Sequence, residues 1–166
     1  MNAIFERKSI RKYTNKEVQG ELIEKILRSG MAAPSAGNEQ PWHFIIVTER
    51  TILDEVPKFH PYSQMLKQVS CAIIVCGDTS LERYKGFWVQ DCSAAAENML
   101  LMAQELGLGS VWLGVYPEET RVQGLKKLLD LPELVIPLCI LPLGYPAENR
   151  QPADRFEPSR IHKNKW

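Results

Sequence analysis

Apolar side chains recur along this chain with two different periods. In residues 21–31, Leu22, Ile23, Ile26 and Leu27 keep the three-and-four spacing of a helix face. Upstream, Thr14, Asn15, Lys16 and Glu17 fit a capping box, although Gly20 argues for a later start. Residues 43–48, HFIIVT, read as a strand, residues 51–59, TILDEVPKF, as a short helix, and residues 71–78, CAIIVCGD, as a strand buried on both faces. Residues 87–106 form the longest helical candidate, apolar or small nearly all round, with Asp91, Glu97 and Glu105 its charged positions. A helix of that kind is central. GSVWLGVY (109–116) predicts a strand, and PEETRVQGLKKLLDL (117–131) an amphipathic helix opening on Pro117 and acidic residues. VIPLCILPLGYP (135–146) predicts a last strand whose Pro137 and Pro142 point to a sheet edge or to bulges. Between the first helix and first strand, residues 33–41, APSAGNEQP, have loop composition. Residues 148–166 are polar, contain prolines and end on Trp166. A tail of this kind either frays or wraps something.

No repeat or linker divides the 166 residues, so a single domain over 1–166 is expected. The composition, 45% hydrophobic and 24% charged, is that of an ordinary globular chain able to bury a full core. Lys plus Arg, 20, balance Asp plus Glu, 20, which argues against a surface that coats nucleic acid or an anionic membrane. Cys71, Cys76, Cys92 and Cys139 sit in apolar runs without metal-type spacing and read as buried reduced thiols. The N-terminus MNAIFERK carries no apolar signal region, and no stretch approaches the roughly eighteen apolar residues of a membrane span. A soluble, cytoplasmic protein is the expectation.

Several chemistries lack their residues. GLGSVW (107–112) begins like a dinucleotide fingerprint, but Trp112 occupies the third glycine position and the order is helix, turn, strand rather than strand, turn, helix. Gly107 reads instead as a helix C-cap and Gly109 as a turn. His43, His60 and His162 are scattered singly, which argues against a metal cage, and His43 reads as a half-buried strand residue. No set of nucleophile, base and orienting group is legible, and no catalytic side chain is assigned.

One local feature stands out against a net charge of zero. ERKSIRKY (6–13) places Arg7, Lys8, Arg11 and Lys12 within six positions. Like charges at that spacing repel, so the cluster needs either free solvent or an anion. A solvated basic turn is one reading. The other is a phosphorylated cofactor that carries the chemistry while the protein supplies binding and electrostatics.

ERKSIRKY, APSAGNEQPWHF, QDCSAAAENMLLMAQELGLGSVWLG and RFEPSRIHKNKW, in that order and across nearly the whole chain, resemble the nitroreductase family of FMN flavoproteins. The resemblance implies an α+β fold with a mixed, mainly antiparallel sheet flanked by helices. It also implies a homodimer with FMN sites shared at the interface, helix 87–106 packed on its two-fold mate, and a C-terminal tail embracing the partner. By position, Arg7, Lys8 and Ser9 would meet the FMN phosphate, and Arg11 the pyrimidine edge of the ring. Pro34, Ser35, Ala36 and Asn38, with Gln40, match a loop that covers the partner's flavin. Trp112, Leu113, Gly114 and Val115 match a segment beside the isoalloxazine, Arg155 a basic residue returning to the phosphate, and Ser63 and Gln64 would line the ribityl chain. A glutamate frequent in that segment of larger family members is missing here. The activity implied is FMN-dependent transfer of hydride from NADH or NADPH through flavin N5 to nitroaromatic or quinone acceptors, by a ping-pong mechanism. A flavin carrier, or a flavin-processing or dehalogenating relative, is the alternative.

Overall fold

The computed structural model describes residues 3–166. Helix α1 spans Ala3–Glu6, α2 Gly20–Met31, α3 Arg50–Glu55, α4 Trp88–Glu105 and α5 Glu119–Leu128. Strands β1 (Trp42–Val47), β2 (Cys71–Asp78), β3 (Leu113–Gly114) and β4 (Val135–Leu143) form one sheet in the order β1-β2-β4-β3, and every neighbouring pair is antiparallel. Parallel pairing enters through an isolated bridge between Ser9 and Ser110. The architecture is the α+β arrangement expected.

Strand β2 explains why helices cover both faces. Successive side chains leave a strand on opposite sides, and here both sides are apolar. Cys71, Ile73 and Val75 pack in a cluster with α2 and α4, while Ala72, Ile74 and Cys76 pack in a second with α3 and α5. Each fully buried Ile or Val contributes about 1.5–3 kcal/mol relative to exposure. All four cysteines are free and buried. Burial pushes the Cys71 thiol up to about 11 and that of Cys76 up to about 12, so neither forms thiolate near neutrality.

Helix α4 ends as expected at Gly107. Its backbone adopts φ +73°, Gly107 N donates to Gln104 O and Leu108 N to Ala103 O, the paired bonds of a Schellman cap. Three other expectations need correction. Helix α2 starts at Gly20 behind Gln19, with no side-chain cap, so Thr14–Glu17 is not its capping box. GSVWLGVY is strand only at Leu113 and Gly114, and Gly109 bridges Gly144 rather than turning. His43 lies on β1 but is exposed, 3.7 Å from the Asp78 carboxylate.

For β4 the second of the two readings holds: it is an interior strand, between β2 and β3, with a bulge at its first proline. Strand β3 covers it only at Ile140 and Cys139, and Pro137 sits at the register shift opposite Val75 and Cys76. Both prolines therefore fall where β3 asks for no backbone donor.

Candidate functional site

The cationic turn is held from below by two apolar anchors. After α1, whose first turn closes through Arg7 N to Ala3 O, the chain runs extended, and Ile10 enters the core with 1% exposure. Its amide donates to Ser110 O at 2.9 Å, and Gly109 lets it close in, since a Cβ there would stand 2.8 Å from the Ile10 Cβ. Tyr13, also buried, donates its hydroxyl to Ile10 O at 2.6 Å. With Ile10 and Tyr13 turned inward, Arg7, Lys8 and Ser9 are half-buried and Arg11 and Lys12 face outward. The spacing of the anchors thus presents the cations.

The end of the chain is brought to the same place. Thr14 N donates to Tyr145 O and Ala147 N to Lys12 O, both at 2.9 Å, so the segment after β4 runs beside the turn. Beyond it, residues 150–156 face Arg7, Lys8, Ser9 and Arg11 across an open cleft of about 990 Å³. Arg155 stands in that wall, and so does Arg150, which sequence reasoning missed because nothing local sets it apart from the other cations of the tail.

Five cations line the cleft against one carboxylate, that of Asp154. Glu97 on α4 pairs with Arg7 Nε at 3.2 Å and Glu148 with Arg150 Nε at 2.9 Å, which leaves an excess of two positive charges. Both pairs use Nε, so the two terminal nitrogens of each guanidinium remain the edge that can face an anion. A phosphate monoester carries close to two negative charges at neutral pH, and the donor set of guanidinium forks, ammonium and the Ser9 hydroxyl suits its oxygens. The cleft fits the phosphate end of a mononucleotide.

The remaining sequence-predicted residues are not in this cleft. Pro34, Ser35, Ala36 and Asn38 lie in a tight loop in which Gly37, Asn38 and Gln40 all have φ near +50°, within the left-handed region. Ser35 Oγ accepts from Gln40 N at 3.1 Å, Asn38 Oδ1 accepts from Gln40 Nε2 at 3.0 Å, and Ala36 N donates to Asp91 Oδ1 at 3.0 Å. Ser63 must be corrected: it is fully buried and its hydroxyl donates to His60 O at 2.7 Å, so it cannot line an open ligand site. Gln64 is exposed at the start of the 3-10 turn Gln64–Lys67.

Trp112, Leu113, Gly114 and Val115 run along the edge of the sheet. Val115 N donates to Leu138 O at 3.0 Å. A Cβ on Gly114 would find Trp112 Nε1 at 3.9 Å as its nearest neighbour, so one side of this glycine is open. Its carbonyl takes two donors at 2.9 Å, His60 Nε2 and Arg121 Nη1. Burial, together with the Arg121 charge, lowers the pKa of His60, which is therefore neutral and carries its proton on Nε2. This clamp was invisible in the sequence.

The family model described as the nitroreductase family matches residues 4–70 and 61–145. A relative from Methanothermobacter thermautotrophicus, named "Putative NADH dehydrogenase/NAD(P)H nitroreductase", is 56% identical over all of this chain and 87% of its own length. A crystal structure of the same name from Parabacteroides distasonis superposes with a TM-score of 0.96 at 44% identity, over 99% of this chain and 97% of that one. An FMN-dependent nitroreductase from Clostridium difficile R20291 superposes with a TM-score of 0.91 at 28% identity, over 99% of each chain. With the family model covering most of its length and a relative above half identity across all of it, the chain belongs to the nitroreductase family.

Proposed function

We propose that the chain binds FMN and works as an NAD(P)H-dependent oxidoreductase. The observation that carries this reading is the convergence of Arg7, Lys8, Ser9 and Arg11 with Arg155, from opposite ends of the chain, in one cleft with an excess of two positive charges. Arg7 and Arg155 fork onto the phosphate, Lys8 adds a point charge, and Ser9 donates a hydroxyl hydrogen bond. Arg11, exposed on the same wall, would face the pyrimidine edge of the ring and favour negative charge there. Held there, FMN would supply the redox chemistry, accepting hydride from NADH or NADPH and passing reducing equivalents to a nitroaromatic or quinone acceptor in an alternating, ping-pong sequence. The protein's part is to orient flat rings on the open side of Gly114. The names of the FMN-dependent nitroreductase and the NAD(P)H nitroreductase relative support the cofactor and the reductant.

The site is completed by a second copy of the chain. Residues 34–38 and 112–115 do not line the cleft that holds Arg7, so one protomer does not gather every residue the family resemblance assigns to a single flavin. The exposed Ile4, Phe5, Phe156, Ile161 and Trp166 are the apolar surface such a partner would cover.

The test is direct. The purified protein should show a flavin absorption band, bleach anaerobically with NADH or NADPH, and recover its colour when a quinone or nitroaromatic is added. Loss of flavin without bleaching would mark a carrier, and absence of FMN binding on titration would overturn the reading.

A further inference from the structure

Glu148 stands where the tail crosses the cationic turn, and both of its oxygens are used. Oε1 accepts from two successive amides, Arg11 N at 2.6 Å and Lys12 N at 3.2 Å, while Oε2 holds Arg150 Nε at 2.9 Å. Its side chain is 14% exposed, so this is not an ordinary surface ion pair. The bonds from Arg11 N above all, then those from Arg150 and Lys12, outweigh partial burial and hold its pKa below the usual carboxylate value.

Resting on the FMN reading above, we propose that Glu148 is the positioning residue that assembles the phosphate-binding cleft, and that Arg150, which it aims, is a further ligand of the phosphate. Three geometric facts carry this. First, the two amides bonded to Oε1 fix the Arg11–Lys12 peptide and hence the direction in which the Arg11 side chain leaves the turn. Second, Oε2 is bonded to Arg150 through Nε, and Arg150 lines the cleft, so its two terminal nitrogens are left to meet an anion there. Third, the backbone bonds of Thr14 to Tyr145 and of Ala147 to Lys12 end just before Glu148, so the carboxylate carries the tie between turn and tail one step further along the tail.

A negative group beside a phosphate would ordinarily repel it. Here the charge is matched by Arg150, and what remains is orientation: a guanidinium held at one edge loses less freedom when it forks onto an oxyanion. Only a carboxylate offers acceptors on both sides. Glutamine could still accept from Arg11 and Lys12 through its oxygen, but its NH₂ would face the Arg150 donor.

The experiment is a titration of the full-length apoprotein with FMN and with riboflavin, which lacks the phosphate, for Glu148→Gln, Arg150→Ala, the double variant and Arg7→Ala. Glu148→Gln and Arg150→Ala should each weaken FMN roughly tenfold while leaving riboflavin unchanged. The double variant should bind FMN about as well as the weaker single, because the two residues act as one unit. The FMN losses should shrink as salt is raised. Equal losses for FMN and riboflavin in Glu148→Gln would reduce Glu148 to a fold residue and overturn the proposal. So would a wild-type preference for FMN in Glu148→Gln, or additive losses in the double variant. If Glu148→Gln fails to fold, the exposed Arg150→Ala carries the decision alone: an unchanged FMN to riboflavin ratio overturns the assignment. Arg7→Ala separates this inference from its foundation. A phosphate-selective loss there with none in Glu148→Gln sinks only the Glu148 role, whereas no selective loss in Arg7→Ala sinks the cleft's reading as a phosphate site.

Discussion

The carboxyl groups of Asp91 and Glu39 meet where α4 joins the 33–41 loop, close enough for each to shift the other's pKa. Both residues are buried, and Glu39 Oε1 and Asp91 Oδ2 have no hydrogen-bond partner among the described residues. The other two oxygens are satisfied by backbone: Glu39 Oε2 accepts from Arg83 N and Tyr84 N, and Asp91 Oδ1 from Ala36 N. Burial raises the pKa of Asp91, with the carboxylates of Glu39 and Glu82 adding to it. Burial pushes Glu39 upward too, but the Arg83 and Tyr84 amides, the neighbouring Asp91 carboxyl and the Arg83 charge overcome it and leave Glu39 lowered. Asp91 therefore holds the proton and Glu39 the charge.

This pair makes stability depend on pH in a defined sense. The Asp91 contribution, from a raised folded pKa, is complete below its ordinary value of 3.8 and fades as pH climbs through the folded value. That of Glu39, lowered, is present above its ordinary 4.5 and fades as pH falls through its folded value. Between those folded values the latch is closed. Asp91→Asn keeps a donor toward Glu39 that cannot ionise, so the variant's melting temperature should lose the alkaline-side decline of the wild type. Parallel curves for the two proteins would refute a proton held on Asp91.

His60 predicts a slope of opposite sign. Its lowered pKa means that its contribution is present above the ordinary 6.5 and is lost as pH falls toward the folded value, where the buried ring would have to charge. His60→Gln, with an amide donor for the Gly114 carbonyl, should flatten that acid-side loss. His60→Leu should instead cost about 0.5–1.5 kcal/mol above the ordinary value, the worth of one hydrogen bond, since Arg121 still donates to the carbonyl, and the cost should shrink toward acid pH where the wild type loses its own contribution. Urea unfolding of both variants at several pH values checks the pair of expectations.

Arg7→Ala should weaken FMN by about one to two decades, the worth of roughly 1.5–3 kcal/mol for a hydrogen bond to a charged group, with riboflavin nearly unaffected. Arg155→Ala should act in the same direction but less, since the tail is exposed and screened. Arg11→Ala should lower the reduction potential of bound FMN more than it changes affinity. Spectrophotometric titration with both flavins, and potentiometry of each holoprotein, decide among these assignments.

Gly114→Val should impair flavin binding more than folding. The protein itself leaves the Cβ direction open to 3.9 Å, so the two methyls would meet a ligand rather than the core. The comparison is the FMN dissociation constant of the variant against its urea midpoint. An unchanged FMN affinity would remove β3 from the site.

Sedimentation equilibrium should give a dimer, and Trp166→Ala with Phe156→Ala, which uncover no core of their own chain, should weaken it. A flavin-loaded monomer would contradict the shared site.

Much of the fold was legible in the sequence because it depends on local periodicity. The apolar spacing of Ile23 and Ile26, the unbroken apolar run of β2 and the glycine after α4 specify their elements through sterics and burial within a few residues. The place of β4 was not legible. Whether Pro137 and Pro142 force a strand to the sheet edge depends on how far its neighbour extends, and β3 extends over only two residues. The burial of Ser63 was hidden likewise, since its partner is a carbonyl in a turn that the apolar pattern does not mark.

The site divides along the same line. Arg7, Lys8 and Arg11 announce themselves because four cations crowd six positions of a neutral chain. By itself the sequence therefore determined that an anion or solvent must face that turn, and family resemblance carried Arg155 to it. Only the tertiary structure decided the rest: that Glu148 ties the tail to the turn, that Arg150 joins the cleft, and that Glu97 and His60 brace residues far from them in sequence. Hydrophobic period is a property of neighbours along the chain, whereas charge and hydrogen bonding act between whatever atoms folding brings within a few ångströms.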